Sequence, residues 1–164
     1  VTIAVSGLGV TRNYGGQTTG TMPSRYGRAL ADDPTSTWDH AFVPDVVVVN
    51  LGTNDFAGGQ GDPGPGFEST YAAFLATLRA THPHAHLVAA TSPMLSEPSR
   101  TRLRVYLQAA IATRAAAGDV DVSLLDVDEQ AQADGYGCDY HPSRATQEKM
   151  AAKLAAHLRR VMQW

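Results

Sequence analysis

The sequence predicts an α/β fold, a three-layer α/β/α sandwich with a central parallel sheet. Two observations predict it. Short apolar runs of strand length alternate along the chain with amphipathic stretches of helix length, an order that puts crossover helices between parallel strands. One run, Val46-Val47-Val48-Val49, is apolar without alternation, which indicates a strand buried on both faces. The 164 residues suffice for one such core and fall short of two, so residues 1–164 read as a single domain.

Residues 1–5 read as the first strand, ending at Ser6-Gly7-Leu8-Gly9. A polar, glycine-rich stretch follows over 11–21, then a short helix over 24–31 and a loop over 32–37. The valine strand stops at Asn50-Leu51-Gly52-Thr53-Asn54-Asp55. Five glycines and two prolines make 58–66 a loop. Phe67, Tyr71, Phe74, Leu75 and Leu78 then share one face of a helix over 67–81. Residues 86–91 are a second interior strand. A helix over 99–117 turns Leu103, Leu107, Ala110 and Ile111 inward, with Gly118 as its terminator. Residues 120–127 form a third strand. Ser143 caps a last helix whose Met150, Leu154, Leu158 and Val161 share a face.

Hydrophobic residues make up 43% of the chain and charged residues 18%, with a net charge of -3. No basic stripe marks a nucleic-acid surface, and no apolar run approaches the roughly 18 residues that cross a membrane. The one cysteine, Cys138, has no partner for a disulfide within the chain. The chain opens directly on a strand-like run with no polar lead, which gives the expectation that it is a piece of something longer.

In doubly wound sheets ligands bind beyond the carboxyl ends of the strands. Three polar motifs fall at such turns. Asn54, just past the valine strand, offers a side-chain amide at a fixed place, as an oxyanion hole requires, although Asn54 and Asp55 also suit a plain turn. Gly7 could let a backbone N–H approach a substrate oxygen closely, although two glycines here also suit plain turn chemistry. Ser6 lacks the flanking glycines of a nucleophile elbow. His141, held stiffly before Pro142 and beside Asp139, has the setting of a general base, although taken alone it equally reads as a surface histidine in a loop. His82, His84 and His86 have a metal-like spacing, but no acidic or thiol ligand completes it nearby, and they read as a loop.

These stretches resemble the SGNH (GDSL-like) hydrolases, a flavodoxin-like α/β fold, and within them family two of the carbohydrate esterases. The resemblance is carried by Ser6-Gly7-Leu8-Gly9-Val10 with Arg12-Asn13-Tyr14-Gly15, by Thr21-Met22-Pro23, by residues 44–56 with Asn50-Leu51-Gly52-Thr53-Asn54-Asp55-Phe56, and by Gly137-Cys138-Asp139-Tyr140-His141-Pro142-Ser143 running on into Lys149-Met150-Ala151. It implies a secreted, metal-free serine esterase that needs no cofactor and removes O-acetyl groups from polysaccharides of xylan or glucomannan type. Gly7 and Asn54 would form the oxyanion hole and His141 would be the base. Tyr140 would line the acyl pocket.

The sequence departs from the family pattern twice. The usual aspartate three residues before the histidine is Cys138 here, and Asp139 lies two before. Either Asp139 or a backbone carbonyl would then orient His141. The family's Gly-Asp-Ser nucleophile motif is absent, so a separate or upstream segment would supply the serine and the first strand. That segment can include the β-sandwich domain common in the family. Two other readings stay open: an esterase, lipase or acylase on other acyl substrates, and a carbohydrate-binding relic without catalysis.

Overall fold

The computed structural model describes residues 1–164. Three parallel strands, β1 (Val46–Val49), β2 (His86–Ala90) and β3 (Val122–Leu125), form one sheet in that order. Val46 pairs with His86, and Leu87 pairs with Val122. Two helices are single turns, α1 (Met22–Arg25) and α2 (Thr53–Phe56). Three are long: α3 (Gly66–Thr81), α4 (Ser99–Ala116) and α5 (Arg144–Met162). α3 joins β1 to β2 and α4 joins β2 to β3, the crossovers that parallel neighbours need.

The pleat of β2 divides the core in two. Leu87 and Ala89 face α3 and α4, among Phe67, Tyr71, Leu75, Leu103 and Leu107, all fully buried. Val88 and Ala90 face the other way, with Leu125 and Val127, against Met150, Leu154 and Leu158 of α5. The alternation of β2 therefore makes the three layers, and each large side chain so buried contributes about 1.5–3 kcal/mol. The ends of the helices follow local chemistry. Beyond α4, Gly118 takes φ +86, its N–H reaches the Ala115 carbonyl at 2.9 Å and the Asp119 N–H reaches Arg114 at 3.0 Å. Arg79 and Arg114 then hold the Asp119 carboxylate at 3.0 and 3.3 Å. Ser143 accepts from the Thr146 N–H at 3.2 Å and starts α5.

The structure departs from these expectations at five places. Residues 1–5 pair with no strand and are mostly exposed, because a strand needs a neighbour and none adjoins them. β1 is the sheet edge rather than a strand covered on both faces, and Val48 is 41% exposed. The helix expected over 24–31 is only the turn Met22–Arg25, and the turn at Gly52 is followed by the short helix α2. The third strand is shorter than residues 120–127, with Val120 left exposed.

The histidines of residues 82–86 are drawn to separate partners. His82 Nε2 meets the Tyr26 hydroxyl at 2.7 Å. His86 Nε2 meets Ser123 Oγ at 2.8 Å, and that oxygen meets His157 Nε2 at 2.7 Å, joining the sheet to α5. Burial lowers the pKa of all three imidazoles, with His40 adding repulsion at His82 and Arg160 and His86 adding it at His157. The folded state therefore prefers them neutral, and below the ordinary value of about 6.5 the unfolded chain binds more protons. Stability is expected to be full above that pH and to fall as pH drops through the lowered values. Urea midpoints measured from about pH 7.5 down to pH 5 check this, and His157→Gln is expected to flatten the profile.

Candidate active site

The carboxyl end of β1 runs into a tight turn. Gly52 adopts φ +119, where an added Cβ would stand 2.7 Å from Leu103 Cδ1, so only glycine fits between the strand and α4. The chain then enters α2, which holds Asn54 and Asp55. The Asp55 side chain is fully buried. Its carboxylate accepts from the N–H groups of Val10, Thr11 and Arg12 at 2.8, 2.7 and 3.1 Å, and from Thr11 Oγ1 at 2.8 Å. Arg12 answers with its Nε on the Asp55 main-chain carbonyl at 2.7 Å and a guanidinium nitrogen on Gly61 O at 2.6 Å. A buried carboxylate is tolerated here because donors converge on it.

This clamp shapes the loop that begins at Ser6. Tyr14 N–H bonds Gly7 O at 2.9 Å, Met22 N–H bonds Gly9 O at 2.9 Å, and Asn13 Oδ1 accepts from Gly9 N at 3.2 Å. Gly7 sits at φ +77. Its own N–H has no acceptor within the chain. Asn54 Nδ2 donates to the Leu8 carbonyl at 2.8 Å, which fixes the amide plane and leaves its second N–H free.

His141 follows the 3-10 turn Cys138–Tyr140. Its Nδ1 lies 3.0 Å from the Cys138 carbonyl oxygen, so the ring nitrogen donates to main chain and leaves Nε2 as the acceptor. Asp139 stands at φ +50 and makes no hydrogen bond to the imidazole. Gln130, buried, donates from Nε2 to the Tyr140 carbonyl at 2.9 Å and steadies the same turn.

A cavity of about 770 Å³ is bordered by Ser6, Gly7, Asn54, Asp139 and His141. Tyr140 does not border it; the ring is exposed and stacks on Tyr136 at 4.2 Å. Two preset N–H donors and an imidazole acceptor at one cavity can support acyl transfer once a nucleophile stands among them. Sequence reasoning missed the Asp55 clamp, which joins residues 43 to 45 positions apart. It also missed the Thr53 Oγ1 bond to Ser92 Oγ at 2.6 Å, which ties α2 to the end of β2. The aspartate inside Gly52-Thr53-Asn54-Asp55-Phe56 was the available signal for the clamp.

Asp55→Ala leaves three backbone donors unpaired and is expected to destabilise the fold by at least about 3 kcal/mol, read as a lower urea midpoint. Gly9→Ala is expected to be as damaging, since an added Cβ would lie 1.9 Å from Arg12 O and 2.5 Å from the Asp55 carboxylate.

Residues 4–149 match the GDSL-like Lipase/Acylhydrolase family. Over 163 residues the chain is 35% identical to the cellulase/esterase CelE of Acetivibrio thermocellus, covering 99% of this chain and 20% of that protein. Over 161 residues it is 29% identical to the acetylxylan esterase / glucomannan deacetylase of Cellvibrio japonicus, covering 96% of this chain and 43% of that one. Among solved structures, an active-site mutant of a family two carbohydrate esterase from Clostridium thermocellum superimposes with a TM-score of 0.90 at 35% identity, over 99% of this chain and 49% of that chain. The chain thus spans less than half the length of each of these relatives. Its fold is that of the family two esterase structures, and with the match running over 4–149 the chain belongs to the GDSL-like lipase/acylhydrolase family.

Proposed function

We propose that this domain is the larger part of a serine esterase that removes O-acetyl groups from polysaccharides of xylan or glucomannan type. The nucleophilic serine sits in a Gly-Asp-Ser segment outside residues 1–164. The observation that carries the reading is the free Gly7 N–H and the oriented Asn54 amide at the cavity bordered by His141. The family match and the named activities of the relatives support it.

In this mechanism His141 Nε2 takes the serine proton as Oγ attacks the acetyl carbonyl. Gly7 N–H and Asn54 Nδ2 stabilise the developing oxyanion. The tetrahedral adduct expels the sugar hydroxyl, which takes its proton from His141. Water then repeats the sequence on the acetyl-serine, releasing acetate. The Cys138 carbonyl holds the imidazolium that forms. A polymer substrate of this kind lies outside cells, so the protein acts as a secreted enzyme.

The test uses the protein that carries this domain together with its Gly-Asp-Ser segment. Acetate release from acetylated xylan and glucomannan is expected, with a preference for acetyl over long-chain esters. Asn54→Ala is expected to lower kcat about 10²–10³-fold. Asp139→Asn is expected to stay within about tenfold, since a carboxylate that orients the base is worth about 10⁴-fold. A 10⁴-fold loss in Asp139→Asn would give the orienting role to Asp139. Binding of the polysaccharide without acetate release, and without labelling by a serine-reactive phosphonate, would favour a non-catalytic binding domain.

A further inference from the structure

The cavity that holds Gly7, Asn54 and His141 is also bordered by two hydroxyls that the mechanism above does not use, those of Thr53 and Ser92. Thr53 Oγ1 donates to Ser92 Oγ at 2.6 Å, and the Met94 N–H donates to the same oxygen at 3.1 Å. A hydroxyl has one proton and two lone pairs. Both lone pairs of Ser92 Oγ are therefore filled, and its own proton goes to no atom of the chain. A reversed bond would leave the same surplus. Two hydroxyls that share one hydrogen bond keep one proton to spare, and Thr53 and Ser92 border the same cavity. Ser92 is only 1% exposed, so it is a buried donor rather than a surface hydroxyl. A buried donor without an acceptor is costly, and the space open to this one is the cavity.

The position is rigid. Ser92 lies just past β2, and both of its neighbours are fastened to the segment that includes and follows the end of β3. Before it, the Thr91 N–H bonds Leu125 O at 3.0 Å, and the Val127 N–H bonds Thr91 Oγ1 at 2.8 Å. After it, the Gln130 N–H bonds Pro93 O at 2.9 Å. Thr53 is set by α2, the turn that also carries Asn54. A donor held in this way loses little freedom on meeting an acceptor.

The chemistry selects the acceptor. With its lone pairs spent, Ser92 can only donate. An acetyl ester presents two oxygens, and both have partners in the mechanism above. The carbonyl oxygen takes Gly7 N–H and Asn54 Nδ2, and the bridging oxygen leaves with the proton of His141. The methyl group accepts nothing. The acceptors that remain on the substrate are the hydroxyl and ring oxygens of the sugar. A cavity of about 770 Å³ lies in the range that encloses a whole small molecule, so a sugar ring enters with its ester. Thr53 adjoins Asn54 in the chain, which puts the spare donor beside the amide that holds the acyl oxygen. The acceptor therefore belongs to the acetylated sugar itself rather than to a distant unit of the polymer.

We propose that Ser92 is a specificity-determining residue of this site. Its hydroxyl donates to an oxygen of the acetylated sugar next to the ester, and so favours saccharide esters over esters of alcohols that lack such an oxygen. The substrate in this proposal rests on the esterase reading above, whereas the spare proton rests on the bonds among Thr53, Ser92 and Met94.

The test uses the protein with its Gly-Asp-Ser segment and compares acetylated xylan with para-nitrophenyl acetate, an acetyl ester without sugar oxygens. In Ser92→Ala the ratio of kcat/KM on the xylan to that on the aryl ester is expected to fall about tenfold, the worth of one neutral hydrogen bond. Ser92→Cys keeps the shape with a weaker donor, and its ratio is expected to fall between the two. It decides alone if Ser92→Ala does not fold. An unchanged ratio overturns the proposal, whether both activities hold or both drop, since a structural or oxyanion role affects the two esters alike. If the wild type cleaves neither ester the esterase reading fails, and calorimetry then compares the affinities of the wild type and the variants for acetylated xylan. Binding about tenfold weaker in Ser92→Ala keeps the Ser92 contact, and equal binding overturns it.

Discussion

Everything at the carboxyl end of the sheet depends on the Asp55 carboxylate. Four donors converge on it from residues 10 to 12, and all of them are backbone N–H groups or a hydroxyl. Arg12 is close by, yet it bonds the Asp55 main-chain carbonyl rather than the carboxylate. The charge is therefore neutralised by oriented dipoles, in the manner of an anion held in a backbone concavity. The geometry that follows is narrow. Gly9 has no room for a side chain, Gly7 lies in the left-handed region, and Asn54 reaches back from the same helical turn as Asp55 to Leu8. Both candidate donors are thus referred to one carboxylate.

The two ends of the sheet do different work. At the amino end, Arg79 spreads over the Pro83, Ala85 and Asp121 carbonyls, and the imidazoles bond hydroxyls. These contacts tie helices to strands and leave little free. At the carboxyl end, by contrast, the groups that matter are unpaired or exposed: the Gly7 N–H, one N–H of Asn54, and His141 itself. Stability is concentrated in α3, α4 and the sheet, while the chemically useful groups ride on turns that the scaffold pins from below.

What the sequence made legible is what short-range rules govern. The stripe from Phe67 to Leu78 and the glycine stop at Gly118 are periodic or local, and the structure has them where the pattern puts them. Residues 1–5 have strand character, but pairing depends on a neighbour that no local window contains. The edge position of β1 is likewise a property of the whole sheet, invisible in four valines. The motifs at Gly7, Asn54 and His141 were readable, and the fold brings them to one cavity. What orients His141 was not readable: a carbonyl or a carboxylate could serve, and the backbone at Asp139, at φ +50, sets the answer in this structure. Tyr140 took the expected place in sequence but not beside the cavity, because a ring stacked on Tyr136 points elsewhere.

The span of the Asp55 clamp has a consequence for how the site comes into being. Closing a loop of 45 residues carries an entropic cost that grows only with the logarithm of its length, about 3–4 kcal/mol beyond a constant. Four bonds to a charged group, each worth about 1.5–3 kcal/mol, together outweigh that cost. Without the clamp the glycine loop keeps only its local bonds, such as Tyr14 N–H to Gly7 O and Met22 N–H to Gly9 O. The site therefore appears and disappears with the core as one cooperative unit, and a partly melted population has fewer working sites rather than weakened ones.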